Sequence, residues 1–261
     1  MRIGIIGAGH MGSALARGLV RSGVRPSDIT ISDPDRRKLE PLRRMGMKTA
    51  GDNRRAVLDS DLTFLAVKPD VVERVLARVR RELEGTLLVS LAAGVSTEFL
   101  ERRSGARVVR VMPNLCAEVG EMASCYCLGR RATPEDEELV RSILSSIGIT
   151  FRVDEDLMNA VTGLSGSGPA YIYLVLKAMR DAGRELGLPE EIALKLAAQT
   201  VKGAGKMLLE DGRSPEKLLD EVCTPGGTTV EGIAVLRRKK VEDAIKDAIK
   251  AAAKRAAELS R

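Results

Sequence analysis

The chain has 261 residues, of which 44% are hydrophobic and 30% charged, and its formal net charge is +6. This composition is typical of a globular protein with one large domain or two modest ones. Only 2% of the residues are aromatic and none is tryptophan, which argues against base stacking, and no nucleic-acid-binding motif occurs. The basic residues form scattered pairs, which indicate either a solvated surface or a positive field that attracts an anionic cofactor.

Histidine and cysteine are too sparse to indicate a metal centre. The only histidine, His10, lies within a glycine-rich loop, and the four cysteines are too few and too scattered for a disulfide framework. Cys125 and Cys127 are spaced i, i+2, which on a strand places both on one face and suits small core residues. We therefore expect no bound metal.

The hydropathy pattern indicates no membrane association. No run approaches the roughly 18–20 apolar residues of a membrane-spanning helix. The apolar N-terminal stretch is interrupted by Gly7 and Gly9 and lacks the architecture of a signal peptide. We therefore expect a cytoplasmic protein that works in a reducing compartment, with neither membrane nor nucleic acid as a partner.

Residues 1–153 alternate short apolar runs with amphipathic stretches. The predicted strands are Arg2–Ile6, Ile29–Ser32, Leu62–Ala66, Leu87–Ser90, Val108–Met112, Met122–Leu128 and Ile149–Val153. The helical patterns between them include Gly12–Ser22, Arg36–Arg44, Val71–Leu83 and Pro134–Ile147. This alternation predicts βαβ units and a mostly parallel sheet.

The pattern changes after Asp154. No convincing strand follows, and Ala, Leu, Lys and Glu recur at helical spacing. Successive helices are predicted to begin near Pro169, Pro189, Pro215 and Thr229, and one long amphipathic helix is predicted over Val241–Leu259. We therefore predict an α/β domain over residues 1–153 and an all-α domain over residues 154–261.

A glycine motif follows the first predicted strand and opens a helix. In Gly7-x-Gly9-x-x-Gly12, the first glycine permits a tight turn and the second lets the backbone approach a pyrophosphate. The third lets helix and strand pack closely, and the helix N-terminus then faces the phosphates. The alternative is a glycine-rich turn that binds nothing, but the strand-loop-helix context favours a dinucleotide site.

Side chains near the second strand allow two forms of the dinucleotide. Asp33 ends that strand, about 20 residues after the motif, where an acid hydrogen-bonds the ribose 2′-OH of NADH and repels a 2′-phosphate. Arg36 and Arg37 follow at once and are placed to pair with the 2′-phosphate of NADPH. The residues alone therefore leave the cofactor as NADH or NADPH.

Longer motifs give the chain a resemblance to the pyrroline-5-carboxylate reductases, the enzymes of the last step of proline synthesis. The matching segments cover essentially the whole chain and are Gly7–Gly12, Asp52-Asn53, Ala66–Pro69, Ser90–Val95, Val109–Asn114, Thr162–Tyr171 and Cys223–Thr229. The last two are long and specific. The resemblance implies an N-terminal Rossmann-like dinucleotide-binding domain followed by an all-α dimerisation domain, in a homodimer or a higher homo-oligomer.

The resemblance also implies a set of cofactor contacts. These are His10 and Met11 within the glycine motif, Asn53, Ala66, Val67, Lys68, Pro69, Ala93, Gly94 and Asn114. Many members of the family carry Asn-Arg after the second strand, which suits NADPH, whereas this chain has Asp33-Pro34. The resemblance therefore leaves the choice between NADH and NADPH open.

A glycine-threonine segment later in the chain predicts the second half of the site. Gly226 and Gly227 let the backbone approach a ligand, and the helix that follows presents free N–H groups to a carboxylate. Thr224 and Thr228 add hydroxyl donors, and the resemblance places the Thr229 hydroxyl on the ring nitrogen of a cyclic imine. From the residues alone, the segment is equally well a turn followed by a helix N-cap.

Two further residues have alternative roles. Lys68 is either a catalytic cation near the site or a lysine that merely ends a strand, and Cys223 is a packing residue rather than a nucleophile because nothing supplies a base. The resemblance implies reduction of 1-pyrroline-5-carboxylate to L-proline by NAD(P)H. The alternatives are a related imine or β-hydroxyacid-type reductase and a non-catalytic dinucleotide-binding regulator, which would need no second polar pocket.

Overall fold

The computed structural model describes residues 1–259, in which strands alternate with helices up to residue 152 and helices follow. The strands are β1 Ile3–Ile6, β2 Ile29–Ser32, β3 Lys48–Ala50, β4 Leu62–Leu65, β5 Leu87–Ser90, β6 Arg107–Met112, β7 Met122–Leu128 and β8 Gly148–Arg152. The helices are α1 His10–Arg21, α2 Arg36–Arg44, α3 Asn53–Leu58, α4 Pro69–Leu83, α5 Thr97–Ser104, α6 Pro134–Ser145, α7 Met158–Val161, α8 Gly168–Glu185, α9 Glu190–Asp211, α10 Pro215–Val222, α11 Thr228–Arg238 and α12 Val241–Leu259.

One sheet contains all the described strands in the order β3-β2-β1-β4-β5-β6-β7-β8. Neighbouring strands run parallel except β6 and β7, so the predicted, mostly parallel α/β fold is confirmed. Ile3 of β1 pairs with Ile29 of β2 on one side and with Leu62 of β4 on the other. The carboxyl ends of these strands therefore share one edge, and the strand order reverses at β1, where open α/β sheets bind ligands.

Apolar side chains cover both faces of the sheet. Ile3 and Ile5 of β1 belong to one buried cluster with Leu15 of α1, whereas Ile6 belongs to a second cluster with Leu76 of α4. Alternate residues of a strand point to opposite faces, so helices on both sides bury β1, β2, β4 and β5 completely. This burial fixes the loops at the carboxyl ends of the strands.

Every predicted strand occurs, with small shifts at the ends, but the sequence pattern does not predict β3, α3 or α5. The edge strand β3 has no buried residue, so no apolar alternation marks it. The helices α3 and α5 begin instead at side-chain caps, since Asp52 accepts from the N–H of Arg54 and Ser96 from that of Phe99. Cys125 and Cys127 both lie on β7, as predicted.

By its contacts the chain divides into two compact units. The first contains Met1–Pro169 together with residues 249–259, and the second contains Ala170–Ala248. Residues just after 153 belong to the first unit because Met158 is fully buried there and Gly163 packs against the backbone of Ile249. The predicted boundary between residues 153 and 154 stays a prediction.

The second unit is helical and has almost no core of its own. Of residues 170–248, all of which the structure describes, only Ala193 and Ala197 of α9 are buried. The helical character predicted after Asp154 is confirmed as far as residue 259. Within residues 1–259, no helix combines the length and the apolar character needed to cross a membrane.

Candidate functional site

The glycine motif lies between β1 and α1, where the strand order reverses. Gly7 has a φ of +106°, which strains any side chain, and a Cβ there would stand 2.5 Å from the carbonyl oxygen of Ala66. A Cβ on Gly12 would stand 2.0 Å from the carbonyl oxygen of Gly7. These two glycines therefore allow the loop, the end of β4 and the first turn of α1 to pack together.

Gly9 has the opposite surroundings, since a Cβ there would meet no atom within 4 Å. It is the N-cap residue of α1, and no side chain caps that helix, so the first N–H groups are not satisfied by a cap. His10 is exposed and Met11 is half-buried at the start of the same helix. Open space in front of an uncapped helix N-terminus fits the pyrophosphate of a dinucleotide.

Asp33 lies directly after β2 and is only 6% exposed. Its Oδ2 accepts from the backbone N–H of Ala8 at 2.9 Å, and its Oδ1 accepts from that of Asp35 at 2.9 Å. Lys38 Nζ lies 3.7 Å from Oδ1. The carboxylate therefore holds the glycine loop against the end of β2, a contact that the sequence does not predict.

A cavity of about 330 Å³ lies beside these residues. Its lining includes Gly7, Ser32, Asp33, Pro34, Gly51, Asp52 and Asn53 from the loops after the strands, and Val67, Val71, Arg74, Val75 and Arg78 from the α4 side. Asn53 Oδ1 accepts from the Ser32 hydroxyl at 3.0 Å, which leaves its Nδ2 as a donor. Sequence reasoning missed the α4 residues, although their i, i+4 spacing from residue 71 and from residue 74 marks one face of the helix.

The segment after β4 lies next to the glycine motif. The N–H of Ala66 donates to the carbonyl of Ile6 at 2.8 Å, which continues the pairing of β4 with β1. Ala66 and Val67 are half-buried, Lys68 is exposed as the N-cap residue of α4, and Pro69 is the first residue of that helix. Lys68 forms no ion pair with any residue from 1 to 259, so its ammonium is available to a ligand.

The loops after β5 and β6 supply the remaining predicted cofactor residues. Gly94 has a φ of +71° and is buried, with Ala93 half-buried beside it. Asn114 is 7% exposed, and its Nδ2 donates to the carbonyl of Ser165 at 3.2 Å while its Oδ1 accepts from the N–H of Ala123 at 3.4 Å. Its amide therefore joins the loop after β6 to strand β7 and to the helical segment around Ser165, and a contact with the cofactor stays a prediction.

A charged network that the sequence did not suggest joins the start of α5, which follows the loop after β5, to β6. Glu155 accepts from the N–H of Thr97 at 2.8 Å and from its hydroxyl at 2.6 Å. Arg110 on β6, whose side chain is only 7% exposed, donates to the same carboxylate at 2.9 Å. Burial raises the pKa of Glu155, but the hydrogen bonds from Thr97 and Arg110 outweigh it and lower the pKa overall.

The predicted substrate loop lies in the second unit, between α10 and α11. Gly226 has a φ of +71° and open space around it. The N–H of Gly227 donates to the carbonyl of Thr224 at 2.9 Å, and a Cβ on Gly227 would stand 2.6 Å from the Thr224 hydroxyl oxygen. Thr228 and Thr229 are the first two residues of α11, the former exposed and the latter half-buried. The loop therefore turns tightly and leaves Gly226 exposed.

Neither threonine caps α11. The N-cap residue is Gly227, and no side chain caps the helix, so the N-cap predicted for this segment is a glycine and not a threonine hydroxyl. Cys223 is half-buried at the end of α10, with no assigned base beside it. An uncapped helix start behind two glycines has the geometry that accepts a carboxylate.

The fold and the glycine motif together define a dinucleotide-binding protein of the Rossmann class. Two family models match the chain: "Pyrroline-5-carboxylate reductase dimerisation" over residues 155–259, and "NADP oxidoreductase coenzyme F420-dependent" over residues 2–94. A pyrroline-5-carboxylate reductase from Methanosarcina acetivorans is 45% identical over 93% of this chain and 92% of its own length. The chain therefore belongs to the pyrroline-5-carboxylate reductase family.

Solved structures agree with this assignment. The pyrroline-5-carboxylate reductase of Coxiella burnetii superposes with a TM-score of 0.89 at 36% identity and covers 100% of this chain and 98% of that one. The Plasmodium falciparum pyrroline carboxylate reductase, solved with NADP bound, superposes with a TM-score of 0.91 at 30% identity, with coverage of 100% and 98%. The predicted order of a Rossmann-like domain and a helical dimerisation domain is confirmed.

Proposed function

We propose that this protein reduces 1-pyrroline-5-carboxylate to L-proline with hydride from NADPH or NADH. The observation that carries the proposal is the coexistence, in one chain of this family, of the open glycine motif and the uncapped loop before α11. A dinucleotide-binding regulator needs the glycine motif but does not need the loop before α11. The presence of that loop therefore favours an enzyme that turns over a small acid.

The dinucleotide supplies the hydride when it is bound. The glycine motif binds its pyrophosphate through Gly7, Gly9 and Gly12, with His10 and Met11 at the helix start. The remaining proposed contacts are Asp33, Asn53, Ala66, Val67, Lys68, Pro69, Ala93, Gly94 and Asn114. These residues lie in the loops and helix starts that follow the strands at the carboxyl edge of the sheet, where such folds bind a dinucleotide.

The loop before α11 binds the substrate in this proposal. The N–H groups behind Gly226 and Gly227 donate to the carboxylate, and the hydroxyls of Thr224 and Thr228 add donors. The Thr229 hydroxyl hydrogen-bonds the ring nitrogen of the substrate, and Lys68 is a cation near the reacting centre.

The reduction requires orientation more than acid catalysis. Hydride adds to the imine carbon while the electron pair of the C=N bond moves to nitrogen. If the imine is bound in its protonated form, the product amine forms without a strong general acid. This suits a chain whose only histidine, His10, lies in the glycine motif. The protein then contributes chiefly the alignment of the two reactants.

The proposal includes a homodimer in the cytoplasm. The family model that covers residues 155–259 is a dimerisation model, and the second unit exposes many apolar side chains.

The direct test follows oxidation of NADPH and NADH with pyrroline-5-carboxylate and with its six-membered homologue. We expect oxidation with the five-membered acid at a higher kcat/KM. A preference for the six-membered or a β-hydroxy acid would support the related reductase instead. Cofactor binding without turnover of any of these substrates would support the regulator.

A further inference from the structure

The cavity beside the glycine motif has one wall of loops and one wall of helix. The loop wall contains Asp33 and Asp52, and the helix wall is the face of α4 that carries Arg74 and Arg78. Because the cavity adjoins the end of β2 and the start of the glycine motif, it is placed for the adenosine half of a dinucleotide. The charges on its walls therefore bear on whether that adenosine carries a 2′-phosphate.

The acids on the loop wall are engaged by protein donors. Asp33 accepts from two backbone N–H groups and has Lys38 Nζ 3.7 Å from Oδ1. Asp52 accepts from the N–H of Arg54 at 3.1 Å as the cap of α3. These bonds and the lysine reduce the repulsion that Asp33 would exert on a 2′-phosphate.

The arginines on the helix wall are not neutralised in this way. Arg74 and Arg78 lie one helical turn apart and are exposed, and neither pairs with a carboxylate among residues 1–259. The two glutamates of the same helix pair elsewhere, Glu73 with Arg103 at 2.7 Å and Glu82 with Arg54 at 3.7 Å. Two guanidinium groups on one cavity wall are thus left without a counter-charge.

The sequence had offered Arg36 and Arg37 as partners of a 2′-phosphate. Arg37, however, donates to both oxygens of Asp35, at 3.0 Å each, so its guanidinium is already bound. Arg36 lines a different, smaller cavity of about 260 Å³, which is formed by α2 and residues 49–51. The α4 pair is therefore the unpaired positive charge that lines the larger cavity.

We propose that Arg74 and Arg78 bind the adenosine 2′-phosphate and give this protein a preference for NADPH over NADH. The inference rests on the proposed reductase function for its biological meaning, but the binding step stands without it. Guanidinium groups match phosphate oxygens with paired, charge-assisted hydrogen bonds, and Nδ2 of Asn53 adds a neutral donor from the opposite wall. NADH, with a hydroxyl at that position, gains much less from the two charges.

Calorimetric titration of the full chain tests the proposal without any turnover. The probes are NADPH, NADH, adenosine 2′,5′-bisphosphate and adenosine 5′-monophosphate. In the parent, we expect the 2′-phosphorylated member of each pair to bind about a hundredfold more tightly. In Arg74→Ala and Arg78→Ala, we expect this ratio to fall by about tenfold for each arginine, with the affinity for NADH nearly unchanged.

Arg80→Ala is the matched control, because Arg80 is exposed on the same helix and does not line the cavity. We expect parental affinities for all four probes in this variant. Unchanged melting temperatures would show that all three variants fold. Arg74→Lys together with Arg78→Lys keeps the charge and is expected to retain part of the preference.

Three results would overturn the proposal. Equal affinity of the parent for NADPH and NADH is the first, and a ratio that survives both alanine substitutions is the second. The third is an equal loss of both cofactors in these variants, which would mean that the arginines stack on adenine. If the preference and its loss are observed but no imine is reduced, the reductase function fails while the inference stands.

Discussion

Gly9 and Gly12 belong to one motif, yet the structure predicts different effects for the same substitution at each. A methyl group on Gly9 projects into open space, so Gly9→Ala should change stability by less than about 1 kcal/mol. The methyl group would occupy space that the pyrophosphate needs, so NADPH affinity should fall by roughly tenfold or more. Thermal melting and cofactor titration of the purified variant measure both effects.

Gly12→Ala is the counterpart of that experiment. Its Cβ would stand 2.0 Å from the carbonyl oxygen of Gly7, so the loop must shift and the protein should lose about 1–3 kcal/mol of stability. If Gly9→Ala binds NADPH like the parent, the pyrophosphate does not lie at that glycine.

Thr229→Ala should lower kcat while leaving stability and cofactor binding intact. The hydroxyl is proposed to hydrogen-bond the ring nitrogen, whose bonding changes as hydride arrives, so kcat should change more than KM. The loss should be roughly ten- to a hundredfold, from an interaction of about 1.5–3 kcal/mol. Steady-state kinetics of Thr229→Ala and of Thr229→Ser, which keeps a hydroxyl, provide the measurement.

The position of Thr229 sharpens this prediction. Gly227 is the N-cap residue of α11, so removal of the Thr229 hydroxyl takes away no cap. Parental kcat together with a lower melting temperature would show that the residue stabilises the helix and has no part in the reaction.

Single residues were the least predictable level from sequence. The glycine motif can be recognised from sequence because each of its three glycines meets a steric requirement at a fixed spacing. The bonds of Asp33 to Ala8 and Asp35 depend on how the loop closes, which no spacing shows. Arg74 and Arg78 belong to no motif, and only the packing of α4 beside the loops places them on a cavity wall.

At the scale of elements, the carboxylate of Glu155 links the segment before α7 to β6 and α5. Glu155→Gln should lower the free energy of unfolding at pH 7 by about 3 kcal/mol, because the buried guanidinium of Arg110 then loses its counter-ion. Urea unfolding of the parent and the variant measures the difference. Glu138→Gln, which removes an exposed ion pair with Arg141, is the control and should cost less than about 1 kcal/mol.

The stabilisation by Glu155 should also depend on pH, and comparing the parent with Glu155→Gln measures the direction of that dependence. Because the folded-state pKa of Glu155 lies below its ordinary value of 4.5, its stabilisation is complete above that value and declines as pH falls through the folded pKa. The stability difference between parent and Glu155→Gln should therefore shrink as the solution is acidified below pH 4.5. A difference that is constant from pH 7 into the acid range would contradict an ionic role.

Elements were predictable where a buried apolar run defined them. The strands β1, β2, β4 and β5 are buried at every position and were found from sequence. The strand β3 is three residues at the sheet edge, so only its pairing with β2 identifies it. The caps Asp52 and Ser96 are the signals in the sequence that would have identified α3 and α5.

For the whole molecule, the second unit predicts an obligate dimer. The α8 side chains of Ile172, Val175 and Met179 are 42%, 41% and 37% exposed, and Leu176 is half-buried beside them. Such an apolar stripe is too large for the surface of a monomer. Light scattering after size exclusion should therefore report a dimer or a higher homo-oligomer, and Val175→Asp should dissociate it with loss of activity.

Lys177→Asp, at an exposed position of the same helix outside the apolar stripe, adds a carboxylate and removes only an exposed ion pair with Asp181, so it serves as the control. It should leave the assembly intact. A monomer that reduces the substrate at the parental rate would contradict the prediction of an obligate dimer.

The position of α12 has a consequence for how the protein is made. Residues 249–259 complete the first unit, where a Cβ on Gly163 would stand 2.5 Å from the carbonyl oxygen of Ile249. On the ribosome, residues 170–248 take on the order of 4–16 s to synthesise at roughly 5–20 residues per second. Throughout that interval the nascent chain lacks the part of α12 that completes the first unit. We therefore expect the first unit to finish folding only well after its own strands have been translated.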